Sequence, residues 1–250
     1  MNLELSPAFE DYLKVIYDLT DGAPDEGEGE RASTLQIAER MAVRPASVTG
    51  MLQRLATFDP PLVDYQKHYG ATLTSAGRQA ALEVVRHHRL LETYLHQKLG
   101  YSWDEVHAEA DRLEHVLSEE LEERIAVALG EPDYDPHGEP IPSRDLRLPK
   151  ASSLRLSELR PGQQAVIERV ELSDPEALRY LGGLHLLPDA CLIVLAFSPL
   201  DGNLQVRVEE HEAITLGLRI TERIYVKLED PPHLASLTAK NAALTADDTD

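Results

Sequence analysis

Two short clusters of histidine and carboxylate in this chain could hold a metal ion. One is His107, Asp111, Glu114 and His115. Steps of three and four residues place these side chains near one face of a helix. The other is His88 with Glu92, four residues apart. His87, beside His88, points elsewhere on the same helix. Imidazole with carboxylate is the donor set of a borderline-to-hard divalent ion. Acidic, solvated helices of this composition also occur without metal, so spacing alone leaves both readings open. There is no HExxH or other zinc-hydrolase signature, and no nucleophile stands beside a base. Both absences argue against a metal-dependent enzyme.

These donors need two long helices to position them. Thr74 can cap one running from about Ser75 to Leu99, stopped by Gly100. Ser102 and Glu105 read as a capping box for a second, running to about Leu129 with a kink near Ser118 and stopped by Gly130. Val106, Ala110, Leu113, Leu117 and Leu121 make an apolar stripe. Two helices alone cannot cover it, so a homodimer through residues of about 76–130 is expected.

Upstream, Ser6-Pro7 opens a helix with Phe9, Leu13 and Ile16 on one face. The acid- and glycine-rich residues 21–30 read as a solvated loop. Ser33 and Gln36 then form a capping box, a tight turn follows at 42–44, and Pro45 starts a helix with Val48, Met51, Leu52 and Leu55 inward. Helix, turn, helix is followed by a hairpin, Leu62–Tyr65 with Ala71–Thr74, that reads as a wing. Candidate DNA contacts are Arg44, Ala46, Ser47, Thr49, Gly50, Gln53 and Arg54, with Lys67 on the wing. The net charge of −20 disfavours nucleic acid as a partner. Its distribution does not: from Arg31 to Arg78 the balance is Arg31, Arg40, Arg44, Arg54, Lys67 and Arg78 against Glu39, Asp59 and Asp64, a local +3.

Downstream, five prolines between Pro132 and Pro149 mark a linker. Strand-like runs follow at Ala165–Leu172, Leu192–Phe197, Leu204–Val208 and Arg219–Lys227, with Asp201-Gly202 as a hairpin signal and a short helix at Asp174–Leu181. They imply a small β-barrel. The single cysteine, Cys191, excludes an intramolecular disulfide, and no apolar run is long enough to span a membrane. A cytoplasmic location is expected.

In this order the elements resemble the diphtheria toxin repressor and manganese transport regulator family. AFEDYLKVIY resembles the family's first helix and IAERMAVRPASVTGMLQRL its helix-turn-helix; LTSAGRQAA follows the wing as it does there. VRHHRLLETYL and VHAEADRLEHVLSEELEERI resemble its metal-bearing helices, and HGEPIPS the segment closing the dimerisation domain. The resemblance implies a mainly α fold with β. A winged helix-turn-helix would occupy 1–75, a helical metal-binding and dimerisation domain 76–145, a linker 146–150, an SH3-like barrel 151–230 and a tail 231–250.

It also implies two metal sites per subunit. A primary site would use Asp11, Asp111, Glu114 and His115. An ancillary site would use His88, Glu92 and His107, with Glu171 and Glu176 as third-domain candidates. Iron-responsive members have sulfur ligands where this chain has Asp11 and Asp111. Carboxylates suit Mn²⁺ better, so Mn²⁺ is the expected metal and Fe²⁺ the alternative. Lys14 stands where manganese-responsive members without a barrel have a ligating glutamate, which puts their close binuclear arrangement in doubt. The expected function is metal-dependent repression of metal-uptake genes by a homodimer on a palindromic DNA operator.

Overall fold

The computed structural model describes residues 5–20 and 31–229. The loop expected at 21–30 and the tail expected at 231–250 lie outside these residues. The chain divides into two compact units. The first comprises residues up to Ser153 with Ser173–Leu178, and the second Leu154–Leu172 with the chain from Arg179 on.

In the first unit, α1 (Pro7–Thr20) starts where the Ser6 carbonyl accepts from the Phe9 and Glu10 amides at 2.8 and 3.2 Å. It buries Phe9, Tyr12, Leu13, Ile16 and Tyr17. α2 (Thr34–Arg40) carries the expected capping box, with Gln36 N donating to Ser33 Oγ at 3.2 Å and Ser33 N to Gln36 Oε1 at 2.8 Å. α3 (Pro45–Leu55) has proline in its first turn and buries Val48, Leu52 and Leu55 against α1 and α2. β1 (Val63–Gln66) and β2 (Gly70–Leu73) pair antiparallel as the wing.

α4 (Ser75–Leu99) is capped by Thr74 and closed by Gly100 in the left-handed conformation, as the sequence predicts. The second long helix differs. It is split into α5 (Val106–Leu113), a 3-10 turn at Glu114–Val116, and α6 (Glu119–Leu129). Leu117 and Ser118 are extended, and Ser118 Oγ accepts from Leu121 N, so the expected kink is a new helix start. Glu119, Glu120 and Glu122 in its first turn complement the positive end of the helix. Ser102 and Glu105 do hydrogen-bond, yet the helix begins only at Val106. A second core of Leu90, Leu91, Leu95, Val106, Ala110, Ile125, Ala126 and Ile141 joins α4, α5 and α6. Val116, Leu121 and Val127 stay exposed.

The second unit is a five-stranded antiparallel sheet of order β6-β5-β4-β3-β7. Its elements are β3 (Gln164–Val170), β4 (Cys191–Phe197), β5 (Leu204–Val208), β6 (Ile214–Leu216), α8 (Leu218–Thr221) and β7 (Ile224–Leu228), with the part of α7 (Pro175–Gly183) from Arg179 on. The run expected as one strand from Arg219 opens as the α8 turn, and only Ile224–Leu228 pairs with β3. β6, three residues long, had no sequence signal.

Two glycines, Gly50 in the helix-turn-helix that forms the reading head and Gly77 at the start of α4, can be separated by experiment. A Cβ at Gly77 would lie 1.8 Å from the Leu62 carbonyl oxygen, whereas one at Gly50 on α3 would meet nothing within 4 Å. Gly77→Ala is expected to cost about 1–3 kcal/mol through overpacking. Gly50→Ala should gain about 0.5–1 kcal/mol from helix propensity. Urea unfolding of both variants checks this, and a stabilised Gly77→Ala would contradict the close approach.

Candidate metal centre

α1 faces the α5 segment with Glu10, Asp11 and Lys14, the side opposite its apolar face. The 3-10 turn after α5 brings Glu114 and His115 to meet them. His115 Nε2 lies 2.9 Å from Asp11 Oδ1 and 3.5 Å from Glu114 Oε1. Glu10 Oε2 holds the other imidazole nitrogen, Nδ1, at 2.6 Å. An acidic partner on one nitrogen turns the other toward an ion and raises its basicity. Sequence reasoning missed Glu10, because its partner stands 105 residues away.

A second group lies between α4 and α5. His88 Nε2, Glu92 Oε1 and His107 Nδ1 form a triangle with edges of 2.9 and 3.0 Å. Adjacent donors around an octahedral ion with bonds of about 2.1 Å stand ~3.0 Å apart, so this triangle fits one face of such a shell. The donor types, two imidazoles and a carboxylate, fit a divalent transition ion. Glu92 and His88 are buried, which makes their convergence costly unless a proton or an ion bridges them.

Asp111 stands between the two groups. It is not gathered with Asp11 and His115. Its Oδ1 lies 3.0 Å from Lys14 Nζ and 3.3 Å from His88 Nδ1, and its Oδ2 lies 3.6 Å from His107 Nε2. Lys14 Nζ also donates to Glu114 Oε2 at 2.7 Å and stands 2.9 Å from His88 Nδ1. Burial pulls the Lys14 ammonium down, but Glu114 and Asp111 outweigh it and the net shift is upward. Burial alone would lower His88; Glu92 and Glu114 carry it up to about 9. Burial likewise opposes the charge on Asp111 and Glu114, and the surrounding cations still hold both below the usual carboxylate range. Without metal, the Lys14 ammonium is therefore the cation that faces Asp111 and Glu114. His87 turns away, as expected, to Glu122 Oε2 at 2.8 Å.

Glu171 and Glu176 have local roles. Glu171 accepts from Tyr225 Oη at 2.8 Å and pairs with Arg223 at 3.3 Å. Glu176 is exposed in the first turn of α7, where a negative charge is favoured. Of the candidate DNA contacts, Arg44, Ala46, Ser47, Gly50, Gln53, Arg54 and Lys67 are exposed. Thr49 is half-buried, with its hydroxyl bonded to the Pro45 carbonyl at 3.2 Å. The Arg54 guanidinium sits 4.8 Å over the ring of Phe9.

The Glu10–His115 pair gives a direct test. Glu10→Ala frees the His115 ring, and divalent-metal affinity should fall about 10–100-fold. Glu10→Gln, which keeps an acceptor, should fall less. Calorimetric titration with Mn²⁺ measures both, and wild-type affinity in Glu10→Ala would remove this role.

Three family models match the chain. They are described as the iron-dependent repressor N-terminal DNA binding domain, over residues 4–71, the iron-dependent repressor metal binding and dimerisation domain, over 74–143, and the FeoA domain, over 154–228. The iron-dependent repressor IdeR of Mycobacterium leprae is 32% identical over 236 residues, which cover 90% of this chain and 98% of that protein. The diphtheria toxin repressor of Corynebacterium diphtheriae is 34% identical over 142 residues, 57% of this chain and 59% of that protein. A solved structure of a manganese-dependent transcriptional repressor in complex with manganese matches with a TM-score of 0.79 at 38% identity, covering 88% of this chain and 100% of that one. These relatives are transcriptional repressors rather than enzymes. The chain carries a DNA-binding domain, a dimerisation domain and an SH3-like FeoA domain, and it belongs to the iron-dependent repressor family, the metal-dependent transcriptional repressors that include IdeR and the diphtheria toxin repressor.

Proposed function

We propose that this protein is a homodimeric repressor whose binding to a palindromic operator is switched on by Mn²⁺. The observation that carries the choice of metal is the donor set. Asp11, Glu114 and His115 on one side, and His88, Glu92 and His107 on the other, offer only carboxylate oxygen and imidazole nitrogen. Neither thiolate nor thioether is among them, so the centre lacks the soft ligand that draws Fe²⁺, Co²⁺ or Zn²⁺ most strongly. The similar manganese-dependent repressor supports the same choice. Fe²⁺ is the second reading, favoured by likeness to an iron-dependent repressor along 98% of that protein's length.

The proposed ligands of the primary site are Asp11, Asp111, Glu114 and His115, and those of the ancillary site His88, Glu92 and His107. A bound ion would supply positive charge shared between α1 and α5. Asp11 would hold the α1 end of that bridge, and Glu114 and His115 the other. Asp111, which Lys14 holds at 3.0 Å, would complete the set. With α1 fixed, the reading heads of a two-fold dimer would keep one separation, suited to two half-sites.

Asp11→Ala should leave the ligands on α5 able to hold Mn²⁺ with reduced affinity, while metal-dependent DNA binding is largely lost. Fluorescence anisotropy with labelled operator DNA at fixed ionic strength, alongside a metal-binding titration, reads both effects. A wild-type metal response in Asp11→Ala would break the proposed coupling. Asp111→Cys should weaken activation by Mn²⁺ and strengthen activation by Fe²⁺, Co²⁺ or Zn²⁺. An unchanged order of activating metals would mean that ligand hardness does not set the choice.

A further inference from the structure

Among the described residues, four donor triads that share residues run through this centre, the fourth being Glu92, Asp135 and His137. Asp11, Glu114 and His115 form the first, and His88, Glu92 and His107 the third. Between them, His88, Asp111 and Glu114 also bring three ligating atoms within 4.8 Å of one another. Neighbouring triads share residues: Glu114 belongs to the first and second, His88 to the second and third. By donor chemistry alone the middle triad is as suited to a divalent ion as its neighbours. It already faces a cation. Lys14 Nζ lies 2.7 and 3.0 Å from the two oxygens of Glu114, 3.0 Å from Asp111 Oδ1 and 2.9 Å from His88 Nδ1.

We propose that Lys14 is the resident cation of this centre: its ammonium fills the triad of His88, Asp111 and Glu114 and keeps a divalent ion out of the middle position. The inference rests on the metal reading given above. Glu114 is almost wholly buried, with 1% of its side chain exposed, so its charge must be met locally. An ammonium offers three N–H donors and a single charge on a tether, and it needs no uptake from solution. It supports the metal-free fold and preorganises Glu114. It also competes for the carboxylates that a divalent ion would use. Charge and position together make Lys14 a determinant of two quantities: how many ions the subunit takes, and how much metal is needed before the first is bound.

The test uses the full chain, stripped with chelator, as wild type, Lys14→Met and Lys14→Gln. Equilibrium dialysis against Mn²⁺ gives number and affinity, electron paramagnetic resonance shows coupling between neighbouring ions, and thermal melting is followed with and without Mn²⁺. Wild type is expected to take up two uncoupled ions per subunit. Both variants should bind Mn²⁺ more tightly, on the order of tenfold or more given one cation removed at contact distance. They should also take up an additional ion coupled to its neighbour. Their metal-free melting temperature should fall, and Mn²⁺ should restore it. Lys14→Gln is one atom shorter but keeps a hydrogen-bond donor, which guards against loss of fold. Wild-type stoichiometry and affinity in both variants would overturn the proposal, as would variants that stay unfolded with Mn²⁺ present, since Lys14 would then be structural only. Failure of the metal reading itself is separately visible: the wild-type protein would take up no Mn²⁺, and the role of Lys14 would fall with it.

Discussion

Helix α1 meets the α5 segment through charge rather than apolar packing, and the rest of the first unit is arranged around that contact. One face of α1 is fastened into the reading-head core by Phe9, Leu13, Ile16 and Tyr17. The other presents Glu10, Asp11 and Lys14 to a segment about a hundred residues later in the chain. Buried ionisable groups persist only where a partner or an ion satisfies them. Five carboxylates meet here, Glu10, Asp11, Glu92, Asp111 and Glu114, against one lysine.

The proline-rich segment after α6 belongs to the same arrangement. His137 lies with Nε2 2.8 Å from the Trp103 carbonyl, stacks on the Trp103 ring, and faces Glu92 Oε2 with Nδ1 at 3.6 Å. Asp135 Oδ1 accepts from the backbone amides of His137 and Glu139, which fixes the loop that carries the imidazole. Arg89 ties the same loop to α4 through the Pro140 carbonyl and Glu139. Glu92 is thus held between His88, His107 and His137. It is kept ionised well below the usual carboxylate range despite its burial. HGEPIPS marks the end of the helical domain and also forms one wall of the candidate centre.

Much of this was legible in local patterns. Ser33 marks the start of α2, Pro45 that of α3, and Thr74 and Gly100 the two ends of α4, because a helix end must satisfy its free amides and carbonyls with nearby groups. The split between α5 and α6 was less legible, since Leu117 and Ser118 look like two more helical residues until the 3-10 turn is seen. The His88–Glu92–His107 triangle follows from helical spacing once α4 and α5 pack. The neighbours of Asp11 do not, because nothing local relates residue 11 to residue 115; only the family resemblance connected them. Lys14 was visible as a departure from a pattern, but its contact with three candidate ligands is a property of the folded chain. Arg54 reads as a DNA contact by position, and its stacking on Phe9 could not be inferred from either segment alone.

That last contact bears on how a metal could influence DNA binding in so acidic a chain. Neutralising a few carboxylates changes the long-range field little, since charges are screened within about 8 Å at physiological ionic strength. A positional route does not suffer this loss. Asp11 is two residues from Phe9 on the same rigid helix. The Phe9 ring carries the Arg54 guanidinium of α3 on one contact and meets Phe58 edge-on at 5.2 Å on another. A force that drew Asp11 toward Glu114 and His115 would reach α3 through the Phe9–Arg54 contact. The two-residue step from Asp11 to Phe9 and the contact of Phe9 with Arg54 favour geometry over field as the means by which the centre would act on the reading helix.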